Sequence, residues 1–70
     1  DDLVKAEAAC REAIRWHPTA GSAFNNLAHV LWEQNRLQEA QEAARQAVSF
    51  GSPQQTLYQK TLKEIQNKIR

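Results

Sequence analysis

The side chains in this sequence that could do covalent or metal chemistry are few: one cysteine, Cys10, and two histidines, His17 and His29. A cysteine nucleophile needs a histidine beside it to take its proton, and a zinc site needs several such ligands converging at short, regular spacing. These three residues lie seven and twelve positions apart, which fits no zinc pattern. Cys10 falls between Ala6 and Ala13 on the small-residue side of a helical stretch, where a thiol behaves as a small hydrophobe. Carboxylate pairs such as Glu39 and Glu42 read as outward charges on a helix. No glycine-rich loop could cradle a phosphate. The expectation is a non-enzyme with no catalytic residue, no metal and no cofactor.

The elements that carry these residues read as four helices, so the expected class is all-α. The first runs from about Leu3 to Trp16, with Leu3, Ala6, Ala9, Cys10, Ala13 and Ile14 on one face at helical spacing. Asp1 and Asp2 stand at its positive end, and His17-Pro18 stops it, because a residue before proline avoids the helical region. The second runs from about Ser22 to Gln34 and breaks at Asn35-Arg36. The third covers Leu37 to Phe50 with Ala40, Ala44, Ala47 and Val48 inward, and Gly51 is its natural cap. The fourth opens with Ser52 as N-cap and Pro53 in the first turn, then carries Leu57, Tyr58, Thr61, Leu62, Ile65 and Ile69.

Two stretches repeat each other at an offset of 34 residues: Leu3 recurs as Leu37, Ala6 as Ala40, Arg11 as Arg45, Ala13 as Ala47, Ile14 as Val48 and Trp16 as Phe50. The same offset takes Phe24 to Tyr58. A fixed period in the range of roughly 20–50 residues marks units that stack because none buries its apolar face alone. Phe24-x2-Leu27-Ala28-x2-Leu31, followed by Ala40, Ala44 and Ala47, resembles one complete tetratricopeptide repeat, with Phe for the first Trp, Ala for Gly and Leu for Tyr. Ala6, Cys10, Ala13 and Pro18 match the second half of a preceding repeat. Three positions depart from the pattern. Asn35 stands where Gly usually turns the chain, Ala44 where an aromatic is usual, and Ser52-Pro53 shifts the closing proline by one. Asn tolerates the left-handed backbone that such a turn needs.

The resemblance implies a fragment of an antiparallel helix-turn-helix superhelix, an α-α solenoid. Residues 1–18 are then the second helix of a repeat, 21–52 a complete repeat and 53–70 a capping helix. The opening at Asp1-Asp2-Leu3 falls on the turn inside a repeat, which reads as a piece cut from a longer array. The strongly polar remainder of the last helix suits a cap on which nothing further stacks. Trp16, paired with Phe50 by the offset, is expected in the core.

Such arrays bind peptides on the concave surface lined by the first helix of each repeat. Matched to the family, the groove-facing residues are Ser22, Asn25, Asn26, His29, Trp32 and Glu33, followed by Gln59, Lys60 and Lys63. Asn26 stands where the family often places an Asn that hydrogen-bonds a ligand, and an amide offers both donors and an acceptor. Lys60 and Lys63 would favour a carboxylate. Trp32 is either an anchor for the partner or a ring packed between helices.

Composition narrows the partner. The chain has 70 residues, 41% hydrophobic, with a net charge of +1. That is one small domain burying about 60% of its unfolded surface, and a charge too balanced for a nucleic-acid footprint. No stretch approaches the roughly 18 apolar residues of a membrane span. No signal peptide is visible, and one cysteine excludes an internal disulfide. The expected setting is soluble, cytoplasmic or periplasmic. The expected partner is a protein or peptide, with a weak homodimer through the uncovered first helix. The expected function is therefore an interaction scaffold. The alternative is an appendage that positions the catalytic domain of a larger enzyme. Tyr58-x2-Thr61-Leu62-x2-Ile65 after Asn25-Asn26-Leu27-Ala28 resembles repeat tails on some bacterial papain-like peptidases.

Overall fold

The helix signals in the sequence are realised in the computed structural model, which describes residues 2–51 and 54–69. Four helices follow one another: α1 (Asp2–Trp16), α2 (Gly21–Glu33), α3 (Leu37–Phe50) and α4 (Gln55–Ile69). Every described element is helical. The expected N-cap Ser52, Pro53 and the terminal Asp1 and Arg70 lie outside the described residues.

The turns follow from their residues. After α1, the His17 N–H reaches back to the Ala13 carbonyl at 2.9 Å, and the Ala20 N–H bonds the His17 carbonyl at 3.0 Å across Pro18. α2 ends at Asn35, whose φ of 61° is left-handed. There the Arg36 N–H bonds the Leu31 carbonyl at 2.9 Å and the Asn35 N–H bonds the Trp32 carbonyl at 2.8 Å. These paired bonds are a Schellman closure, with Asn in the place glycine usually takes. α3 ends at Gly51, with φ at 73° and its N–H on the Ala47 carbonyl at 3.1 Å.

α2 is the centre of the molecule. It packs against α1, α3 and α4, and α3 also packs against α4, whereas α1 packs along α2. The result is a slab of 27 × 26 × 14 Å. Leu27, Ala28 and Leu31 of α2 cluster with Ala40, Ala43 and Ala44 of α3 and Ile65 of α4. All four buried residues of α3 are alanines, Ala47 being the fourth. A side chain of one methyl lets two helices approach closely, and burial of the leucines and Ile65 supplies most of the apolar gain, about 1.5–3 kcal/mol for each.

Two expectations fail in α1. Trp16 is 68% exposed rather than core, and Ala13 is exposed although its counterpart Ala47 is fully buried. Among the described residues, no helix packs on that face. Phe50 has Phe24 against it, ring centroids 5.3 Å apart at 43°, and is 36% exposed. Against Trp16 no ring is packed, and its indole N–H donates instead to Glu12 on the preceding turn at 2.7 Å. No residue of α1 is buried. Leu3, Ala6, Cys10 and Ile14 are half-covered, with Cys10 and Ile14 packed on the core.

Candidate functional site

The side chains expected along one groove separate into three groups. Asn25 faces inward and is 5% exposed, so the groove-facing assignment is wrong for it. One turn before His29 on α2, it sits on the side that packs against α4, and its Oδ1 has no donor. Asn26, one residue on, is exposed, but it turns toward α1 and lines the cleft between α1 and α2. His29, Trp32 and Glu33 stay on the accessible part of α2: His29 and Glu33 exposed, Trp32 half-buried against the core.

His29 and Trp32 form the most defined feature of this surface. Their rings are nearly parallel, 9° apart in plane with centroids at 6.3 Å. The imidazole reaches across to α4, where its Nε2 lies 3.4 Å from the Thr61 hydroxyl. That hydroxyl donates to the Leu57 carbonyl at 3.1 Å. When its proton is on the Leu57 carbonyl, the Thr61 oxygen accepts from the imidazole in the tautomer that carries Nε2–H. Thr61 is therefore a linker between helices.

Beyond Trp32 the surface opens into a shallow hollow of about 440 Å³, lined by Trp32, Glu64, Asn67 and Lys68. Lys60, Glu64 and Asn67 form one stripe of α4, since residues four and three apart share a helix face. Lys60 extends that stripe and is exposed. Lys63 is exposed too, but two residues past Thr61 it is rotated by about 200° from the side that meets α2. The lysine pair thus does not act as a pair toward α2. The sequence reading did not single out Glu64, Asn67 and Lys68 as site residues. Their spacing from Lys60 was the available signal.

The chemistry-bearing residues of α1 end in a second place. Cys10 and His17 both line the cleft between α1 and α2. Seven helical positions separate them by about 10 Å along the axis, out of proton-transfer range. Burial pushes the Cys10 thiol up, away from the thiolate form. Among the described residues, no three His, Cys, Asp or Glu side chains converge to hold a metal ion.

A polar cluster that the sequence did not reveal ties α1 to the α2–α3 turn. The Glu7 carboxylate accepts from Arg36 at 2.7 Å, from Gln34 at 3.1 Å and from Arg11 at 2.9 Å. Arg36 also grips Glu39 through two parallel bonds of 2.7 and 2.8 Å. The Gln34 hydrogen bond foremost, then Arg11 and Arg36, hold the Glu7 carboxyl down at about 2. No helix of the described residues is long and apolar enough to cross a membrane. Compared with known proteins, the chain matches no family model, no curated protein and no solved structure.

Proposed function

We propose that this chain is a non-catalytic protein-interaction module of tetratricopeptide-repeat type, and that it holds a peptide or partner helix along the surface between α2 and α4. The observation that carries the reading is the stacked His29–Trp32 pair beside the hollow lined by Trp32, Glu64, Asn67 and Lys68. A flat aromatic surface gives apolar contact at low rotamer cost, and flanking amides and charges fix a peptide's direction. The lysines favour a ligand with an acidic group, and Glu64 limits how much net negative charge it carries.

Three features support the repeat assignment. The family's small positions Ala40, Ala44 and Ala47 are fully buried. The turn at Asn35 is left-handed, as the family's glycine would be. The central helix meets both the helix before it and the two after it, a pattern that nearest-neighbour stacking of helix pairs would give.

The surface is small, so affinity should be micromolar or weaker, and salt should weaken it. The test is a titration of labelled protein with a short acidic peptide bearing one aromatic residue, followed by amide shifts. Perturbations should cluster on His29, the Trp32 indole, Lys60 and Glu64. Trp32→Ala should abolish them, while Lys63→Ala should change them little. Shifts confined to α3 would sink the proposal.

A further inference from the structure

Among the described residues, α1 and α3 both pack on α2 and not on each other, so a groove runs between them with α2 as its floor. Its apolar lining is Phe24, Leu27 and Leu31 of α2 with Ala43 of α3, and its volume is about 250 Å³. That is just under the about 300–1,000 Å³ of clefts that take whole small molecules, and it suits one long side chain. Leu27, Leu31 and Ala43 are buried, whereas Phe24 is half-buried, so its ring is the main apolar surface a ligand meets. The charges on the walls are held unequally. Arg11, on the α1 wall, is paired with Glu7 at 2.9 Å, and Glu7 with Arg36 at 2.7 Å. Arg36 in turn holds Glu39, on the α3 wall, at 2.7 Å. This row of two cations and two carboxylates spans the groove and closes on itself. Glu42, one turn further along the α3 wall, is held more loosely, by Arg45 at 3.8 Å, and its side chain is 63% exposed.

We propose that the α1–α3 groove takes an arginine side chain of a partner protein, with its stem and guanidinium plane against Phe24 and its charge on the Glu42 carboxylate. Charge complementarity selects the cation. The closed row from Arg11 to Glu39 contributes no net charge, which leaves Glu42 as the acceptor at the mouth of an apolar groove. Arginine fits better than lysine, because its planar head stacks on an aromatic face and bonds a carboxylate through two N–H groups. Gln46, one turn on from Glu42, offers an amide oxygen as a further acceptor. Arg45 competes for Glu42, so a single arginine binds weakly. The groove shares no lining residue with the α2–α4 hollow and takes a ligand of opposite charge, so it stands apart from the acidic-peptide reading.

The probe is a short capped alanine peptide with one central arginine, titrated at up to millimolar concentration into labelled full-length protein. The control is the same peptide with citrulline, which keeps the shape of arginine and loses its charge. Amide shifts at Phe24, Leu27, Ala43 and Gln46 are expected with arginine, and binding about two- to fivefold weaker with citrulline, the yield of one exposed ion pair. Glu42→Gln, at an exposed position, should leave the helical circular dichroism unchanged and weaken arginine binding to the level of citrulline. Arg45→Gln should tighten it about twofold by releasing Glu42. Absence of shifts, equal binding of the two peptides, or unchanged binding on Glu42→Gln would each overturn the proposal. So would shifts at Trp32 and Glu64 in place of the groove, which would assign the arginine to the α2–α4 hollow.

Discussion

At Gly21 the fold depends on one missing methyl. A Cβ there would stand 2.7 Å from Cε2 of Tyr58 and 3.3 Å from the Ala47 carbonyl oxygen. Tyr58 is buried and the carbonyl is backbone, so neither yields cheaply. Gly21→Ala therefore sets a better helix former against a clash, and the clash should win by about 1–3 kcal/mol. Chemical denaturation should read it as a lowered midpoint at unchanged slope. Ala40 makes the same argument from the α3 side. It is fully buried against leucines, and Ala40→Leu should cost about 1–3 kcal/mol by overpacking. A loss below a few tenths of a kcal/mol would mean that the repeat register of α3 is misassigned. Asn25 is the opposite case. Its buried Oδ1 has no donor, so Asn25→Leu, of similar size, should be near neutral or stabilising in the same assay.

Among the elements, α1 depends on a polar clamp where the others depend on packing. It buries nothing completely, and Glu7 is its strongest link to the α2–α3 turn. The Glu7 side chain is 15% exposed, which limits screening of its bonds to Arg36 and Gln34. Its carboxyl is lowered in the folded state, so the clamp contributes fully above the ordinary carboxylate range and is lost as pH falls toward about 2. Stability measured from neutral pH down to that region should fall, and Glu7→Gln should flatten the profile in that window. An unchanged profile would transfer the acid sensitivity to Glu39, which Arg36 also holds low.

These elements were legible in the sequence to different degrees. The ends of α2 and α3 follow from Asn35 and Gly51, single residues whose backbone preferences act locally. The small positions of α3 follow from the 34-residue offset. The Glu7–Arg36 contact joins residues 29 apart and belongs to no periodicity, so nothing in the sequence marked it. Trp16 misled for a related reason. The offset predicts its environment only if the ring that lies against Phe50 has a counterpart, and burial is a property of neighbours rather than of register. Asn25 and Asn26 look alike in sequence, yet about 100° of helical rotation puts one against α4 and the other toward α1.

The whole molecule is a two-part cooperative object. α2, α3 and α4 share one cluster around Leu31 and Ile65, both essentially buried, whereas α1 adds half-covered side chains and a charged clamp to one side of it. Local opening follows the thinnest packing, so α1 should open as a unit well below the free energy of global unfolding. Hydrogen exchange should show amides of Ala9–Ile14 exchanging much faster than those of Leu27–Leu31 and Ala43–Ala47. Equal protection across all four helices would mean that α1 is bound as tightly as the rest, and that the clamp and the partial burial of Leu3, Cys10 and Ile14 suffice.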